Sequence, residues 1–213
     1  MRFSLVGLLG LAVVAFAEKN APPPAAPPPL PANLEPGLYA RINTSNGWIT
    51  ALLFEKEVPN TVRNFVGLAR GTHPWSDSKT RKIVQRPLYE NLIFHRVIPG
   101  FMIQTGDPTG VGNHDCGFTI ADEFVSTLKF DRAGRLGMAN IGAPNSGACQ
   151  FFITTDPYPA GNGKYTIFGQ VVDGMPVVNK IANVIRDDND KPRVPTKLFN
   201  ITFVRIVEQP KKD

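Results

Sequence analysis

The run Phe94-His95-Arg96-Val97-Ile98-Pro99-Gly100-Phe101-Met102-Ile103-Gln104-Thr105-Gly106-Asp107 carries a histidine, an arginine and a glutamine in a stretch apolar enough to be core. Alternation puts Phe94, Arg96 and Ile98 on one face and His95 and Val97 on the other. Pro99-Gly100 signals a turn, because proline pre-sets its own φ and glycine tolerates φ > 0. Beyond it, Met102 and Gln104 share a face, with Ile103 opposite. Two short strands thus bring Arg96, Met102 and Gln104 together. An arginine so placed either pairs with a buried acid or reaches a ligand, and patterning by itself favours the pair.

Other chemistries are poorly served. No G-x-S-x-G nucleophile turn occurs. Cys149 with His95 would make a Cys/His pair, but Cys149 sits among small residues ahead of Gln150-Phe151-Phe152, the setting of a small buried hydrophobe. His73, His95 and His114 are scattered, which argues against a metal centre, and Cys116 and Cys149 lack C-x-x-C spacing. Gly110-Val111-Gly112 is not G-x-G-x-x-G and no helix signal follows, so no phosphate cradle is expected. Asp187-Asp188-Asn189-Asp190 lacks EF-hand spacing and reads as a solvated turn. Paired carboxylates are not evident, and no cofactor is called for. The formal net charge of +5 is modest and no basic run interleaves with aromatics, so nucleic acid is not an expected partner.

The elements that must position the arginine can be read in order. Leu38–Thr44 and Trp48–Phe54 read as strands joined at Asn46-Gly47, a strong hairpin signal. Val58–Arg70 reads as a helix, with Pro59 at a first helical position, an apolar stripe of Val62, Phe65, Val66 and Ala69, and Gly71 to end it. Residues 72–88, with Lys79, Arg81 and Lys82, read as a solvated surface loop. Arg135–Met138 and Phe151–Thr155 are strands flanking a loop of small residues, Ala139–Gly147. Tyr165–Val172 is a strand, Met175–Val184 a second helix, and Leu198–Val207 a closing strand. About eight short strands and two helices suggest a mostly β protein, a barrel whose open ends the helices cover.

The first residues bear on location. Arg2 is followed by an apolar run, Leu5 to Phe16, too short to span a bilayer, and Ala15-Phe16-Ala17 fits a small-x-small cleavage site. Residues 1–17 are therefore expected to be a signal peptide, 18–37 a Pro-rich extended linker (APPPAAPPPLP), 38–208 the folded domain and 209–213 a tail. The product is expected to be exported, to a periplasm or the medium, with no membrane span after cleavage.

The opening run resembles the signature of the cyclophilins, the cyclosporin-binding class of peptidyl-prolyl cis-trans isomerases. Three further segments resemble the family in its own order: Gly137-Met138-Ala139-Asn140, Gln150-Phe151-Phe152-Ile153-Thr154, and Gly163-Lys164-Tyr165-Thr166-Ile167-Phe168-Gly169. The resemblance covers roughly residues 38–207. It implies a closed eight-stranded antiparallel β-barrel capped by two α-helices, acting as a monomer without cofactor on proline-containing unfolded or flexible polypeptides.

Residue by residue, Arg96 matches the family's catalytic arginine. Phe101, Met102 and Phe152 match its proline pocket, Gln104 the amide that positions arginine and substrate, and Asn140, beside Ala139, the residue whose backbone grips the residue before proline. His95 matches a binding-site histidine, with a neutral structural role as its alternative, and Gln150 and Gly110 match the groove rim. Two departures stand out. Tyr165 replaces the family's groove histidine, keeping an aromatic wall and a polar tip. The tryptophan important for cyclosporin has no equivalent, since Ala160 and then Gly161 occupy the ungapped positions, and Tyr158 fills that space only if the loop shifts. Isomerase activity with weak cyclosporin binding is expected. Ile141 also replaces a small residue by the groove. By the same alignment Cys116 and Cys149 lie near the secondary pocket, and a disulfide there stays open, to be excluded by a Cα separation above about 7 Å. The rival reading is a binding module of the same fold without turnover, against which Arg96, Phe101, Gln104 and Phe152 all argue.

Overall fold

The computed structural model describes residues 26–208, so the expected signal peptide, the start of the linker and the 209–213 tail lie outside the described residues. In chain order the elements are β1 (Gly37–Thr44), β2 (Gly47–Leu53), α1 (Pro59–Arg70), β3 (Trp75–Ser76), β4 (Ile83–Val84), β5 (Leu92–Ile93), β6 (Arg96–Ile98) and β7 (Met102–Thr105). They continue with β8 (Arg135–Met138), β9 (Phe151–Thr154), β10 (Ile167–Asp173), α2 (Met175–Ala182) and β11 (Lys197–Ile206). Nine strands form one antiparallel sheet in the order β5-β11-β1-β2-β10-β8-β9-β7-β6, with β3 and β4 a separate hairpin.

This corrects the eight-stranded closed ladder. The sheet's two edges, β5 and β6, are consecutive in the chain and only Phe94 and His95 lie between them. From Ile93 to Arg96 is three residue steps, which span at most about 10–11 Å, so the sheet must curl until its edges come close. They do not pair with each other. Phe94 N donates instead to Thr196 O, and Val97 N to Asp190 O. The same irregularity breaks the expected alternation, because Phe94 and His95 are both buried whereas Arg96 is exposed.

Side-chain alternation along β7, β8 and β9 fills two apolar compartments. Ile103, Leu136, Phe151 and Ile153 point into the main core with Ile42, Ile49, Val97 and Phe168. Met102 and Phe152 point outward into a smaller cluster with Phe130 and Ile167. Phe65 of α1 packs its ring 5.2 Å from Phe151 and 5.0 Å from Phe168, which seats the helix against the curled sheet. Each such fully buried side chain is worth roughly 1.5–3 kcal/mol relative to exposure. Helix α1 buries Val62, Phe65, Leu68 and Ala69, with Leu68 rather than Val66 completing the stripe. Its first turn lacks a local cap, and the distant Glu123 carboxylate accepts from Asn60 N and Thr61 N instead. Gly71 ends it at φ 73°. Val178, Ile181 and Ala182 of α2 are buried likewise.

Three further expectations shift. The first hairpin turns at Ser45-Asn46, one residue early, because Thr44 Oγ1 accepts from Asn46 N at 3.1 Å and donates to Gly47 O at 2.7 Å, closing the turn before the glycine. Residues 72–88 are less solvated than expected. Trp75 is buried, donates Nε1–H to Arg86 O at 2.9 Å and lies under the Arg86 guanidinium, while Lys79, Arg81 and Lys82 stay exposed. Cys116 and Cys149 form a buried disulfide, with Cα atoms 6.4 Å apart. That removes the thiol a Cys/His nucleophile needs. The described part of the linker is irregular and largely exposed, held where Arg41 donates to Pro28 O and the Tyr39 hydroxyl donates to Glu35 O.

Candidate active site

Register builds the site. Strands β6, β7, β9 and β8 are neighbours, and one residue from each lies in a row: Arg96 faces Gln104, Gln104 faces Phe152, and Phe152 faces Gly137. Above this row opens a cleft of about 150 Å³, lined by Arg96, Phe101, Met102, Gln104, Ala139, Asn140, Phe152, Tyr158 and Tyr165. A cavity of that size holds a ring such as benzene, so one prolyl ring fits. Gly137 sets the floor: a Cβ there would stand 2.3 Å from Phe152 Cζ, so only glycine lets the ring lie against β8. Phe130 stacks beneath Phe152 with centroids 5.7 Å apart, and Tyr165 meets it edge-on at 5.3 Å.

The polar groups stand on one side of this apolar floor. The Arg96 side chain is 45% exposed, and its Nε lies 3.6 Å from Asp190 Oδ2. Gln104 Nε2 donates to Gln150 Oε1 at 2.9 Å, and Gln150 Nε2 donates to Gly112 O at 3.0 Å. Asn140 Nδ2 donates to Lys164 O at 2.8 Å, tying the 139–141 segment to the turn that precedes β10. A second cleft of about 120 Å³ shares Gln104, Ala139 and Asn140 with the first and adds Gly112, His114, Ile141 and Gln150. A fixed cation at the mouth of an apolar pocket, beside an extended groove, suits an uncharged chain segment with a ring. It offers no nucleophile, and among the described residues no His/Cys/Asp/Glu cluster could hold a metal.

Comparison with known proteins decides the family. The model of the cyclophilin type peptidyl-prolyl cis-trans isomerases matches residues 39–203. The chain belongs to the cyclophilin-type peptidyl-prolyl cis-trans isomerases. It is 45% identical over 166 residues to the probable peptidyl-prolyl cis-trans isomerase A of Mycobacterium leprae, covering 77% of this chain and 91% of the relative. It is 39% identical over 170 residues to the peptidyl-prolyl cis-trans isomerase B of Streptomyces anulatus, covering 80% and 95%. The crystal structure of a cyclophilin type isomerase of Cryptosporidium parvum superposes with TM-score 0.67 at 36% identity, over 79% of this chain and 98% of that one. A second structure of that protein, in the presence of the dipeptide Ala-Pro, gives TM-score 0.66 at 34% identity, over 80% and 99%. As a cyclophilin isomerase, the chain interconverts cis and trans forms of X-Pro bonds.

The cyclophilin cleft gathers most of the residues expected from the sequence. Arg96, Phe101, Met102, Gln104, Ala139, Asn140, Phe152 and Tyr165 line the first cleft, and Gln150 lines the second. His95 and Gly110 line neither. His95 is buried behind Arg96, with Gly112 against its ring. Burial pushes its imidazole below the ordinary value, against the pull of nearby Asp107. Burial pushes the Asp107 carboxyl up, but hydrogen bonds from Thr109 Oγ1, Thr109 N and Gly112 N outweigh it and hold the group low. Gly110 sits at φ 68° against Ile93, its carbonyl accepting from Lys191 Nζ at 2.9 Å.

Tyr158, expected to fill the missing tryptophan's space only if the loop shifts, does form part of the cleft wall, its ring 4.7 Å from Phe101. Gly161 makes this fit, because a Cβ there would stand 2.5 Å from Tyr158 Cδ1. The losses at Ala160 and Gly161 and the arrival of Tyr158 are one coupled change. Asp190, beside the cleft arginine, is the residue the sequence reading missed. Its run reads as a solvated turn, yet its carboxylate faces both Arg96 and Arg186. An ion pair between residues far apart in sequence leaves no periodic signal.

Proposed function

We propose that Arg96 accelerates isomerisation by stabilising the twisted X-Pro amide. Rotation about a peptide bond loses resonance at a cost of ~18–20 kcal/mol. In the twisted state the prolyl nitrogen pyramidalises and its lone pair localises. A fixed donor aimed at that nitrogen binds the twisted state more strongly than either planar form, and that difference lowers the barrier. The ring rests on Phe101, Met102 and Phe152, Gln104 offers its Oε1 to the arginine and the chain, and Asn140 holds the preceding residue. No proton moves and no bond breaks. The observation that carries this reading is the row Arg96–Gln104–Phe152, which puts a half-exposed guanidinium beside a ring-sized apolar cleft. Arg96→Ala is expected to lower kcat/KM about 100-fold or more, the scale for removing one transition-state donor. A protease-coupled assay on a prolyl tetrapeptide checks this, with circular dichroism showing the fold intact. Activity within a few-fold of wild type refutes it.

The same reading places the enzyme outside the reducing cytosol, assisting the folding of exported proteins. The apolar leader with its Ala15-Phe16-Ala17 site supports this, as does the Cys116–Cys149 bridge, which oxidising compartments favour. Expression of the full chain followed by fractionation, finding the uncleaved chain in the cytosol with its leader still attached, overturns this location. Weak cyclosporin binding also belongs to this reading. What supports it is the wall of Tyr158 and Tyr165, with Ala160 and Gly161 in place of the large residues.

A further inference from the structure

The mechanism needs Arg96 held still, yet a long side chain with nearly half its surface in solvent does not hold itself. What faces it is a loop outside the four signature segments. Asp190 takes φ 63°, the left-handed region, which among non-glycine residues mainly asparagine and aspartate tolerate. Its carbonyl accepts from Val97 N at 2.8 Å, so the loop is pinned to the residue next to the arginine. Its own N donates to Asp187 O at 3.1 Å, and Asp187 Oδ1 accepts from Lys191 N at 2.9 Å. Lys191 Nζ reaches across to Gly110 O. Held on these sides, the carboxylate presents Oδ1 to Arg186 Nε at 3.2 Å and Oδ2 to Arg96 Nε at 3.6 Å.

A guanidinium has two usable edges. We propose that Asp190 is a positioning residue for Arg96: it fixes the guanidinium by the Nε edge and leaves the terminal amino groups to face the cleft. The proposal rests on the arginine mechanism above. Asp190 touches no substrate and acts through the arginine alone. Its partner Arg186 serves as the control, because a carboxylate that merely braces the loop would do so through Arg186.

Asp190→Asn tests this cleanly, since asparagine accepts the same backbone and removes only the charge. Partly exposed ion pairs are weak, so kcat/KM is expected to fall about two- to fivefold. The fall lies in kcat with KM unchanged, and raising the salt concentration narrows the gap as the wild-type pair is screened. In ¹⁵N NMR the Arg96 Nε–H signal, assigned by its loss in Arg96→Lys, is ordered in wild type and mobile in Asp190→Asn. Arg186→Gln leaves both rate and signal in place. Unchanged kcat in Asp190→Asn, an equally ordered Arg96 signal, or the same loss in Arg186→Gln overturns the proposal. The two readings fail separately. An active Arg96→Ala removes the arginine mechanism and this role with it, whereas an inactive Arg96→Ala beside a silent Asp190→Asn removes this role alone.

Discussion

Removing the Cys116–Cys149 bridge should cost the domain a large part of its stability. The bridge closes a loop with a sequence separation of 33. Chain-entropy arithmetic for a loop of that length gives about 3.7 kcal/mol at 25 °C. A domain of this size shifts its melting temperature by roughly 2–4 °C per kcal/mol, so a drop of about 7–15 °C is expected. The double variant Cys116→Ala/Cys149→Ala is the right perturbation, because both sulfurs are buried and alanine leaves no unpaired hydroxyl behind. The bridge also joins the 112–116 segment to the residue before Gln150, whose amide holds both Gly112 O and Gln104. Loosening it should therefore widen the second cleft and raise KM for a peptide long enough to reach Ile141, with kcat on a minimal prolyl peptide changed less. Calorimetric melts of wild type and variant, with kcat and KM for a short and a long peptide, measure both arms. A melting temperature within about 2 °C of wild type would falsify the entropic argument, and equal KM values on the long peptide would break the link to Gln150.

Two other expectations follow from the site's environment. Burial depresses the His95 imidazole below its ordinary 6.5, so the unfolded chain binds a proton before the folded one does. The stability held by neutral His95 is full above about pH 6.5 and is lost as pH falls below it, and partly buried His73 adds the same sign. An NMR titration in which His95 protonates at or above 6.5 contradicts this. Arginine stays charged throughout, so kcat/KM should stay flat into the alkaline range. Cyclosporin should inhibit only at concentrations far above that of the enzyme, and a titration with a sharp one-to-one end point would show that the Tyr158 wall replaces the missing tryptophan after all.

How far the sequence spoke depended on how local each determinant was. Alternation along β7 is local, and it placed Met102 and Gln104 on one face with Ile103 opposite, whereas Phe152 was assigned to the pocket only through the family resemblance. Gly137 was readable only as a motif letter, and its reason appears when the Phe152 ring is laid on it. The two-residue strands β3 and β4 are too short to show any period, so Trp75 looked like loop although it is buried. Phe94 and His95 broke the alternation because the chain crosses there from one sheet edge to the other, a fact of closure rather than of propensity.

Arg96 shows most clearly what pattern alone misjudges. Read from its neighbours, the residue had two exclusive fates, an ion pair with a buried acid or contact with a ligand. The pair exists, but Asp190 is only partly buried and meets the arginine at Nε, at a distance too long for a strong hydrogen bond. A bidentate carboxylate would have occupied one edge of the fork completely and settled the side chain as structure. A single long contact at Nε restrains the plane and leaves the terminal N–H groups for another acceptor. On the proposed mechanism, pairing and ligand contact are successive demands on one guanidinium, and the weakness of the pair is what would allow the second.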